Sequence, residues 1–248
     1  MLSIPQIKFL KSLHKSKFRK QHGKIILEGH RLILQAVTFG AIMEKVWITD
    51  EYESSDQFKE IAMGLKKNEF DIISQKSIKK ISENKNSQGI ISLTSIPQYK
   101  PVIKYPYKSI YLDRISDPGN MGALLRTACW FGIKNIFLSP ECVDIYNSKV
   151  IRSAMGAHFY FDGINIVSFN DIDKDDLLII GADIKGQNLK EFSFPQNKRW
   201  ILVLGSEAHG LNSSIKPFLT HRVMIQAHCE MESLNVVSAG SIILNHLI

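Results

Sequence analysis

The stretch DPGNMGALLR, residues 117–126, decides how the second half of the chain is interpreted. It follows an apolar run, Ile110 to Leu112, that predicts a buried strand, and it runs into an apolar segment, 124–131, that predicts a helix. The proline–glycine pair forces a turn between the two, and Asn120 is a candidate N-cap of the helix. Such a corner is a general site for polar ligands, because free N–H groups and the helix dipole converge there. A plain structural connection would have the same pattern.

Two later stretches have the same character. LVLGSEAHGL, residues 202–211, is a second apolar strand that breaks into a glycine-bounded turn with the carboxylate Glu207. Val223 to Ile225 is a third apolar strand, and after a polar loop the residues ESLN, 232–235, open an apolar helix. Strands of this kind are buried on both faces, which predicts a parallel sheet between layers of helices.

Strands and helices alternate along the whole chain, which predicts an α/β protein. In the second half we predict strands at 110–112, 135–138, 177–181, 200–204 and 222–225, and helices at 122–131, 150–156, 213–219 and 233–247. In the first half we predict strands at 24–28, 46–49, 70–73 and 89–93, and helices at 31–39, 56–67 and 77–82. Three prolines between residues 97 and 106 favour extended chain, so we predict domains at 1–97 and 109–248 with a linker at 98–108.

In order and spacing, the three corners resemble motifs one, two and three of the SpoU-type (TrmH-like) RNA 2′-O-ribose methyltransferases of the SPOUT superfamily. The resemblance covers about residues 108–248, and a weaker one covers the N-terminal third. It implies a parallel-sheet SPOUT domain with a deep trefoil knot, a rare exception to unknotted topology. It also implies S-adenosylmethionine as the methyl donor, no metal, and a homodimer with the active site near the subunit boundary. We expect the three corners to meet in space.

The resemblance carries over to individual residues of the three motifs. It implies that Gly205, Ile225 and Leu234 give backbone contacts to the adenosine part of the cofactor, and we expect the side chains of the two larger residues to lie in the core. It implies that five polar residues share the active site: Asn120, Arg126, Glu207, Ser233 and Asn235. The alternatives are structural: a tight turn at the glycine, core packing of the apolar pair, helix caps at 233 and 235, a solvated carboxylate and a surface arginine.

Arg126 is the residue to which the family's chemistry is assigned, where the matching arginine is proposed to act on the 2′-hydroxyl as a base. Guanidinium groups are effectively never deprotonated in proteins. We therefore favour a role in which Arg126 grips the neighbouring phosphate and stabilises the developing alkoxide.

This chain departs from the family pattern at a few positions. Ala208 stands where glycine is common, Gln226 and Ala227 stand where Pro-Met is usual, and the order after Asn235 is VVSA instead of VSxA. The polar residues of each motif are retained, so we expect an active enzyme.

The formal net charge of +7 is concentrated at one end of the chain. Residues 1–24 contain seven Lys or Arg and no Asp or Glu, and the other 24 Lys and Arg equal the 24 Asp and Glu. This distribution favours contact with a polyanion, although a solvated basic arm or an organelle-targeting segment would have a similar composition. The predicted RNA contacts are Lys17, Arg19, Lys20, Arg31 and Arg152.

The N-terminal third resembles the small substrate-binding domain of many SpoU-type enzymes, which is itself similar to certain ribosomal proteins. The segments KFRK (17–20) and ILEGHRL (26–32) carry this resemblance, and the pair Gln88-Gly89 matches its closing strand. Glu28 is expected to be structural, since a carboxylate at a strand-to-helix corner serves N–H groups.

Several other classes of protein do not fit the sequence. The three cysteines form no CxxC pair, which argues against a disulfide framework or a zinc site. No apolar run is long enough to span a bilayer. The segment GNMG, 119–122, is not the GxGxxG of a dehydrogenase, and no P-loop is present.

The sequence therefore predicts a methyltransferase acting on structured RNA, with ribosomal RNA preferred over transfer RNA because of the N-terminal domain. The alternative is an RNA-binding or ribosome-associated protein without catalysis. We expect it in the cytoplasm of a bacterium, with the mitochondrial matrix as the alternative.

Overall fold

The computed structural model describes residues 2–65, 70–84, 86–99, 107–194, 197–206 and 209–248. The chain divides into two compact units. The N-terminal unit contains Met1–Gln98 and Asp144–Phe159, and the C-terminal unit contains Tyr99–Val143 and Tyr160–Ile248. The segment Asp144–Phe159 thus folds with the N-terminal unit although it lies far along the chain. Most of the predicted linker, 98–108, lies outside the described residues.

The helices and strands are numbered in chain order. The helices are α1 Ile4–Ser12, α2 Ser16–His22, α3 His30–Thr38, α4 Asp50–Glu53, α5 Asp56–Ala62, α6 Gln75–Ile81, α7 Pro118–Trp130, α8 Ser148–Ala154 and α9 Val236–Leu247. The strands are β1 Lys24–Glu28, β2 Met43–Ile48, β3 Phe70–Ile72, β4 Ile90–Ser95, β5 Lys108–Leu112, β6 Asn135–Leu138, β7 Gly163–Ile166, β8 Leu177–Asn188, β9 Arg199–Leu204 and β10 His221–Met224.

The N-terminal unit is built on a four-stranded sheet in the order β1-β4-β2-β3, in which β4 runs antiparallel to both of its neighbours. Alternate residues of β1 point to opposite faces, and Ile25 and Leu27 on one face are fully buried with Ile33 of α3. On the other face, Leu10 of α1 and Leu13, the C-cap of that helix, pack against apolar residues of β2 and β4. Both faces of the sheet are therefore covered by helices.

The basic N-terminal segment forms two helices, α1 and α2, and is not a solvated arm. The Ser3 hydroxyl accepts from the Gln6 N–H, and the Gln6 side chain accepts from the Ser3 N–H, which makes a capping box. Pro5 lies in the first turn, where a missing N–H costs nothing. The pattern SIPQ, residues 3–6, was the signal in the sequence that could have predicted α1.

Two glycine corners shape the edge of the N-terminal unit. Gly29 has φ +102°, and the Gln88 side-chain oxygen accepts from the His30 N–H at 2.9 Å. Gly89 has φ +78°, and a Cβ there would lie 2.6 Å from the Thr49 hydroxyl oxygen. Both positions therefore require glycine. The Glu28 carboxylate accepts a hydrogen bond from the Ser82 hydroxyl, so its partner at this corner is a side chain.

The C-terminal unit contains a six-stranded sheet in the order β10-β8-β9-β5-β6-β7, with every neighbouring pair parallel. The central strands β5 and β9 are buried along most of their length, as expected for a sheet with helices on both faces. Helices α7 and α9 pack against each other, and a Cβ on Gly240 would lie 2.8 Å from a methyl carbon of Leu204. The predicted α/β class with a parallel sheet is confirmed, and the trefoil knot stays a prediction.

Three details of the C-terminal unit differ from the sequence predictions. The helix predicted at 213–219 is only a 3-10 turn, Lys216–Phe218, because Pro217 cannot donate the hydrogen bonds of a longer helix. β8 continues to Asn188, and its pairing with β10 changes register between Arg222 and Val223. The edge strand β7 was not predicted, because its four residues are too few for a clear periodicity.

Candidate active site

The three corners follow strands β5, β9 and β10 of the parallel sheet. All strands of such a sheet point the same way, so the residues that follow them lie at one edge, where ligands of open α/β sheets bind. The Asp113 N–H donates to the Leu204 carbonyl at 2.8 Å, which joins the ends of β5 and β9 directly.

A pair of asparagines joins the first and third corners. The Asn235 side-chain amide donates to the side-chain oxygen of Asn120 at 3.2 Å, across 115 residues of sequence. The Asn235 oxygen also accepts from the Val237 N–H at 2.8 Å, which makes Asn235 the N-cap of α9. One side chain therefore starts a helix and connects two motifs.

The N-cap of α7 is Asp117, and the prediction that Asn120 has this role is wrong. The Asp117 carboxylate accepts from the Asn120 N–H at 2.7 Å, and Pro118 occupies the first turn. Asn120 lies in the first turn of the helix, where its side chain meets Asn235.

The second corner is a loop that closes on itself. The Gly210 N–H donates to the Ser206 carbonyl at 2.8 Å. A Cβ on Gly205 would lie 2.3 Å from the Gly210 carbonyl carbon, so glycine is required here by the loop's own backbone. The group that approaches Gly205 closely is thus the Gly210 backbone, and a ligand is not needed to explain the glycine at position 205.

A buried carboxylate just before the first corner binds the backbone just after the second corner. Asp113 is 2 % exposed, and its carboxylate accepts from the Asn212 N–H at 2.8 Å and from the Arg114 guanidinium at 3.3 Å. The Arg114 guanidinium also donates to the Gly210 carbonyl at 3.2 Å. Sequence analysis missed both residues, although a carboxylate directly after the buried run 110–112 was a signal that could have identified Asp113.

The electrostatics at the end of β6 also favour a charged carboxylate. A hydrogen bond from the Ser139 hydroxyl lowers the pKa of Glu141, and the positive charge of Arg114 acts in the same direction. The Ser139 hydroxyl also accepts from the Arg114 N–H at 2.9 Å. The edge of the site near β6 therefore carries a negative charge beside Arg114.

The remaining predicted site residues lie on or near these corners. Arg126 is exposed on α7, and its side chain forms no hydrogen bond or ion pair with the residues that the structure describes. Ser233 is exposed and Ile225 is half-buried. Leu234 is 49 % exposed, so the expectation that its side chain lies in the core is wrong. Glu207 lies outside the described residues, and its role stays a prediction.

The segment 226–234 fits a ligand with many polar atoms. Every residue in it is exposed, and within the described part of the chain none of its backbone N–H groups donates to another backbone group. Free N–H and C=O groups next to the N-terminus of α9 form a donor and acceptor set suited to the adenosine and carboxylate of S-adenosylmethionine.

The predicted RNA contacts all belong to the N-terminal unit. Lys17, Lys20 and Arg31 are exposed on α2 and α3, and Arg152 is half-buried on α8.

The prediction that Arg19 contacts RNA is wrong, because Arg19 is only 5 % exposed. Its guanidinium donates to the carbonyl oxygens of Leu13 and His14 and to the Asp144 carboxylate, at 2.9, 2.7 and 2.6 Å. A side chain held in this way fixes α2 to the segment before α8 and does not reach an RNA phosphate.

Comparison with known proteins gives two family matches. Residues 107–245 match the SpoU rRNA Methylase family, and residues 5–92 match the MRM3-like substrate binding domain. An uncharacterized tRNA/rRNA methyltransferase of Synechocystis is 28 % identical, with 97 % of this chain and 89 % of that protein covered. The 23S rRNA (guanosine(2553)-2′-O)-methyltransferase RlmP of Bacillus subtilis is 25 % identical, with 98 % of this chain and 95 % of that protein covered.

A solved structure shows the same architecture. A candidate RNA methyltransferase of the TrmH family from Porphyromonas gingivalis superposes with a TM-score of 0.82 at 27 % identity, over 100 % of this chain and 98 % of that one. The described helices include none with the length and apolar character to cross a bilayer.

The parallel sheet and the polar corners joined at its carboxyl edge define an α/β enzyme with a ligand site at that edge. The chain belongs to the SpoU rRNA methylase family. It is accordingly an RNA methyltransferase that uses S-adenosylmethionine, with an N-terminal substrate-binding domain.

Proposed function

We propose that this protein methylates a ribose 2′-hydroxyl of ribosomal RNA and that its catalytic site is the joined set of corners. The observation that carries the proposal is the Asn235–Asn120 hydrogen bond, which brings the first and third motifs together beside the exposed Arg126. The match to RlmP over nearly the full length of both proteins supports the large-subunit RNA as substrate.

The residues of the chain have separate tasks in this proposal. Bound S-adenosylmethionine supplies an electrophilic methyl group. The exposed backbone of 226–234, with Gly205, Ile225 and Leu234, binds the donor and fixes its orientation. Asn120 and Asn235 hold the two loops at the distance that an in-line reaction requires.

Arg126 acts on the RNA in this proposal. Its side chain is exposed and makes no ion pair within the described residues, so it can donate hydrogen bonds to a backbone phosphate and to the 2′-oxygen as negative charge develops there. Ser233, exposed beside Asn235, is assigned to the same pocket. Glu207 is assigned to it from the motif match alone.

The N-terminal unit serves as the RNA-binding part, with Lys17, Lys20, Arg31 and Arg152 as phosphate contacts. Three of these four side chains are exposed, and none of the four forms an ion pair with a carboxylate of the described residues.

The test is methyl transfer from labelled S-adenosylmethionine to purified 23S ribosomal RNA and, separately, to transfer RNA. We expect methyl incorporation into the ribosomal RNA, at a ribose whose 3′ phosphodiester bond becomes resistant to alkaline cleavage. Transfer to transfer RNA alone would favour the second candidate, to which the name of the Synechocystis relative also points. Calorimetry that detects no cofactor binding, with or without RNA, would instead indicate an RNA-binding protein without catalysis.

A homodimer in the cytoplasm of a bacterium completes the proposal, with the mitochondrial matrix as the alternative compartment. The bacterial sources of the two relatives that match nearly end to end support this compartment. A sedimentation coefficient of a monomer at micromolar concentration would contradict the dimer.

A further inference from the structure

Arg114 has a backbone conformation that is unusual for its residue type. Its φ is +54°, in the left-handed region that favours glycine. It lies two residues after the end of β5, between the buried strand and the first motif. A strained residue persists only where its surroundings hold it, and such residues cluster at functional sites.

Three strand ends hold Arg114 in place. Its backbone N–H donates to the Ser139 hydroxyl at the end of β6, at 2.9 Å. Its guanidinium contacts Asp113 at the end of β5, and it donates to the Gly210 carbonyl in the loop after β9, at 3.2 Å. The side chain is 28 % exposed and Asp113 is 2 % exposed, so the ion pair is partly shielded from water.

The loop after β9 is attached to the sheet partly by this pair and partly by the apolar contacts of buried Leu211. Asp113 accepts the Asn212 N–H and Arg114 binds the Gly210 carbonyl, so two backbone polar groups of the arm 209–212 are held by adjacent residues. The same arm closes against Ser206 through the Gly210 N–H. A guanidinium is suited to this task because its planar donors can serve a carboxylate and a carbonyl together.

We propose that Arg114 is a positioning residue that fixes the arm 209–212, and through it Gly205, in the geometry that binds the methyl donor. The inference rests on the proposed function, since it assigns this loop to the cofactor site. Arg114 acts through the loop backbone. The strained backbone places the guanidinium where it can reach Gly210 and Asp113 at once.

The experiment compares Arg114→Ala, Arg114→Gly and Arg114→Lys by calorimetric titration with S-adenosylmethionine. We expect the dissociation constant to rise about tenfold in the Ala and Gly variants, the size of effect of losing a charged hydrogen bond, and less in the Lys variant. Thermal unfolding distinguishes the effect of backbone strain at position 114 from the loss of the side-chain contacts that position the loop. Glycine adopts the positive φ freely, so Arg114→Gly should unfold at or above the temperature of Arg114→Ala while binding the cofactor equally weakly.

Arg199→Ala is the matched control. The Arg199 guanidinium also donates to a backbone carbonyl, that of Asp175 at 2.6 Å, but at the opposite end of β9. We expect unchanged cofactor affinity in this variant. Hydrogen exchange at the amides of Gly210 and Asn212 should accelerate in Arg114→Gly and not in the control.

Two outcomes overturn the inference. Wild-type affinity in Arg114→Gly, with or without faster exchange of the two amides, would show that the Arg114 contacts do not position the cofactor site. Equal loss of affinity in Arg199→Ala would show a general effect of stability. Failure of the wild-type protein itself to bind S-adenosylmethionine, with RNA present, is a different result, because it overturns the proposed function.

Discussion

At the scale of single residues, Arg126 separates two chemical roles. If the guanidinium acts through its charge, Arg126→Lys should retain more activity than Arg126→Ala, because the ammonium still carries a positive charge. We expect the alanine variant to lose about a hundredfold or more in the single-turnover rate, the typical loss of a group that stabilises developing charge. The rate of methyl transfer under saturating cofactor measures this. Equal losses in the two variants would contradict a purely electrostatic role.

Asn235 allows the helix cap to be separated from the contact with Asn120. Asn235→Asp keeps an oxygen for the Val237 N–H but loses the amide that donates to Asn120. We expect nearly wild-type thermal stability and reduced methyl transfer. Asn235→Ala should also lose about 1 kcal/mol of stability, because the cap is removed.

Asn147→Ala is the control for this prediction, since Asn147 caps α8 through the Lys149 N–H in the N-terminal unit. It should lower stability by a similar amount and leave cofactor affinity unchanged. Full activity in Asn235→Asp would indicate that the asparagine pair has no role in the site.

Individual residues show what the sequence alone could predict. The resemblance in motif order and spacing implies that Asn120 and Asn235 share the site. Their corners follow β5 and β10, two strands of one parallel sheet whose carboxyl ends lie at one edge. The same spacing could not distinguish Asp117 from Asn120 as the cap, since both are good capping residues before an apolar run. Arg19 was assigned to the surface from its charge, and only the three-dimensional packing shows that three oxygen atoms surround it.

At the scale of elements, the loop after β9 depends on Gly205. A Cβ at this position would collide with the backbone of Gly210 at 2.3 Å, and a backbone atom cannot move aside as a flexible side chain would. We expect Gly205→Ala to cost on the order of 3 kcal/mol in the free energy of unfolding and to abolish cofactor binding. Chemical denaturation and calorimetry measure the two effects.

Gly210→Ala is the comparison within the same loop. Gly210 has φ +60° and open space around its Cβ position, so the substitution should cost only about 1–2 kcal/mol of backbone strain. Cofactor binding that survives in Gly205→Ala would show that the loop does not need this close approach.

The segment after α8 contains a titrating group that should make stability depend on pH. Burial lowers the pKa of His158 from 6.5 to about 4, and its imidazole bonds to the Ile145 carbonyl at 2.8 Å. As the pH falls, His158 therefore becomes protonated in the unfolded chain before it does so in the folded protein. The stabilisation is complete above pH 6.5 and is lost as the pH falls toward 4, by roughly 3 kcal/mol in total.

Urea unfolding between pH 4.5 and 7 checks this prediction, with His158→Gln expected to flatten the dependence and exposed His228→Gln expected to leave it unchanged. Asp144 lies nearby. Burial alone would raise its pKa, but hydrogen bonds led by that from Arg19 lower it, so its protonation falls below this range. Equal slopes in wild type and His158→Gln would exclude His158 as the cause.

Elements with a strong period or clear boundaries were predicted well. β1 and β6 were predicted with their observed bounds, because both are apolar runs that end at polar residues. The two helices of the basic segment have a weak signal, since only the capping pattern at 3–6 indicates a helix and a basic composition is also typical of a solvated arm. The extension of β8 has no local signal, because it depends on pairing with β10.

At the scale of the whole molecule, the basic N-terminal unit should make RNA binding depend on salt. Removing one phosphate-binding side chain should reduce the slope of log affinity against log salt by about one. We expect the triple variant Lys17→Ala, Lys20→Ala, Arg31→Ala to bind structured RNA more weakly and with a shallower slope. Filter binding at several salt concentrations provides the measurement.

Lys59→Ala is a suitable control, because Lys59 is exposed on α5 but already pairs with Asp56 at 2.7 Å. If the slope of log affinity against log salt is unchanged in the triple variant, the RNA-binding surface lies elsewhere in the chain.

The family resemblance of the N-terminal third made the substrate-binding domain predictable. The alternating elements made the α/β class and the parallel sheet predictable. The membership of Asp144–Phe159 in the N-terminal unit was not predictable. It depends on long-range packing such as that at Gly156, where a Cβ would lie 3.1 Å from the Ala36 backbone nitrogen, and no local pattern encodes such an approach.

That membership has a consequence for any attempt to separate the parts of this protein. Because the first unit takes one helix from late in the sequence, the polypeptide passes between the units three times. A fragment that stops at residue 98 would leave the Arg19 guanidinium in the interior without its carboxylate. An N-terminal fragment that ends at the predicted linker should therefore be less stable than the same unit in the intact chain, because it lacks α8 and the Asp144 carboxylate.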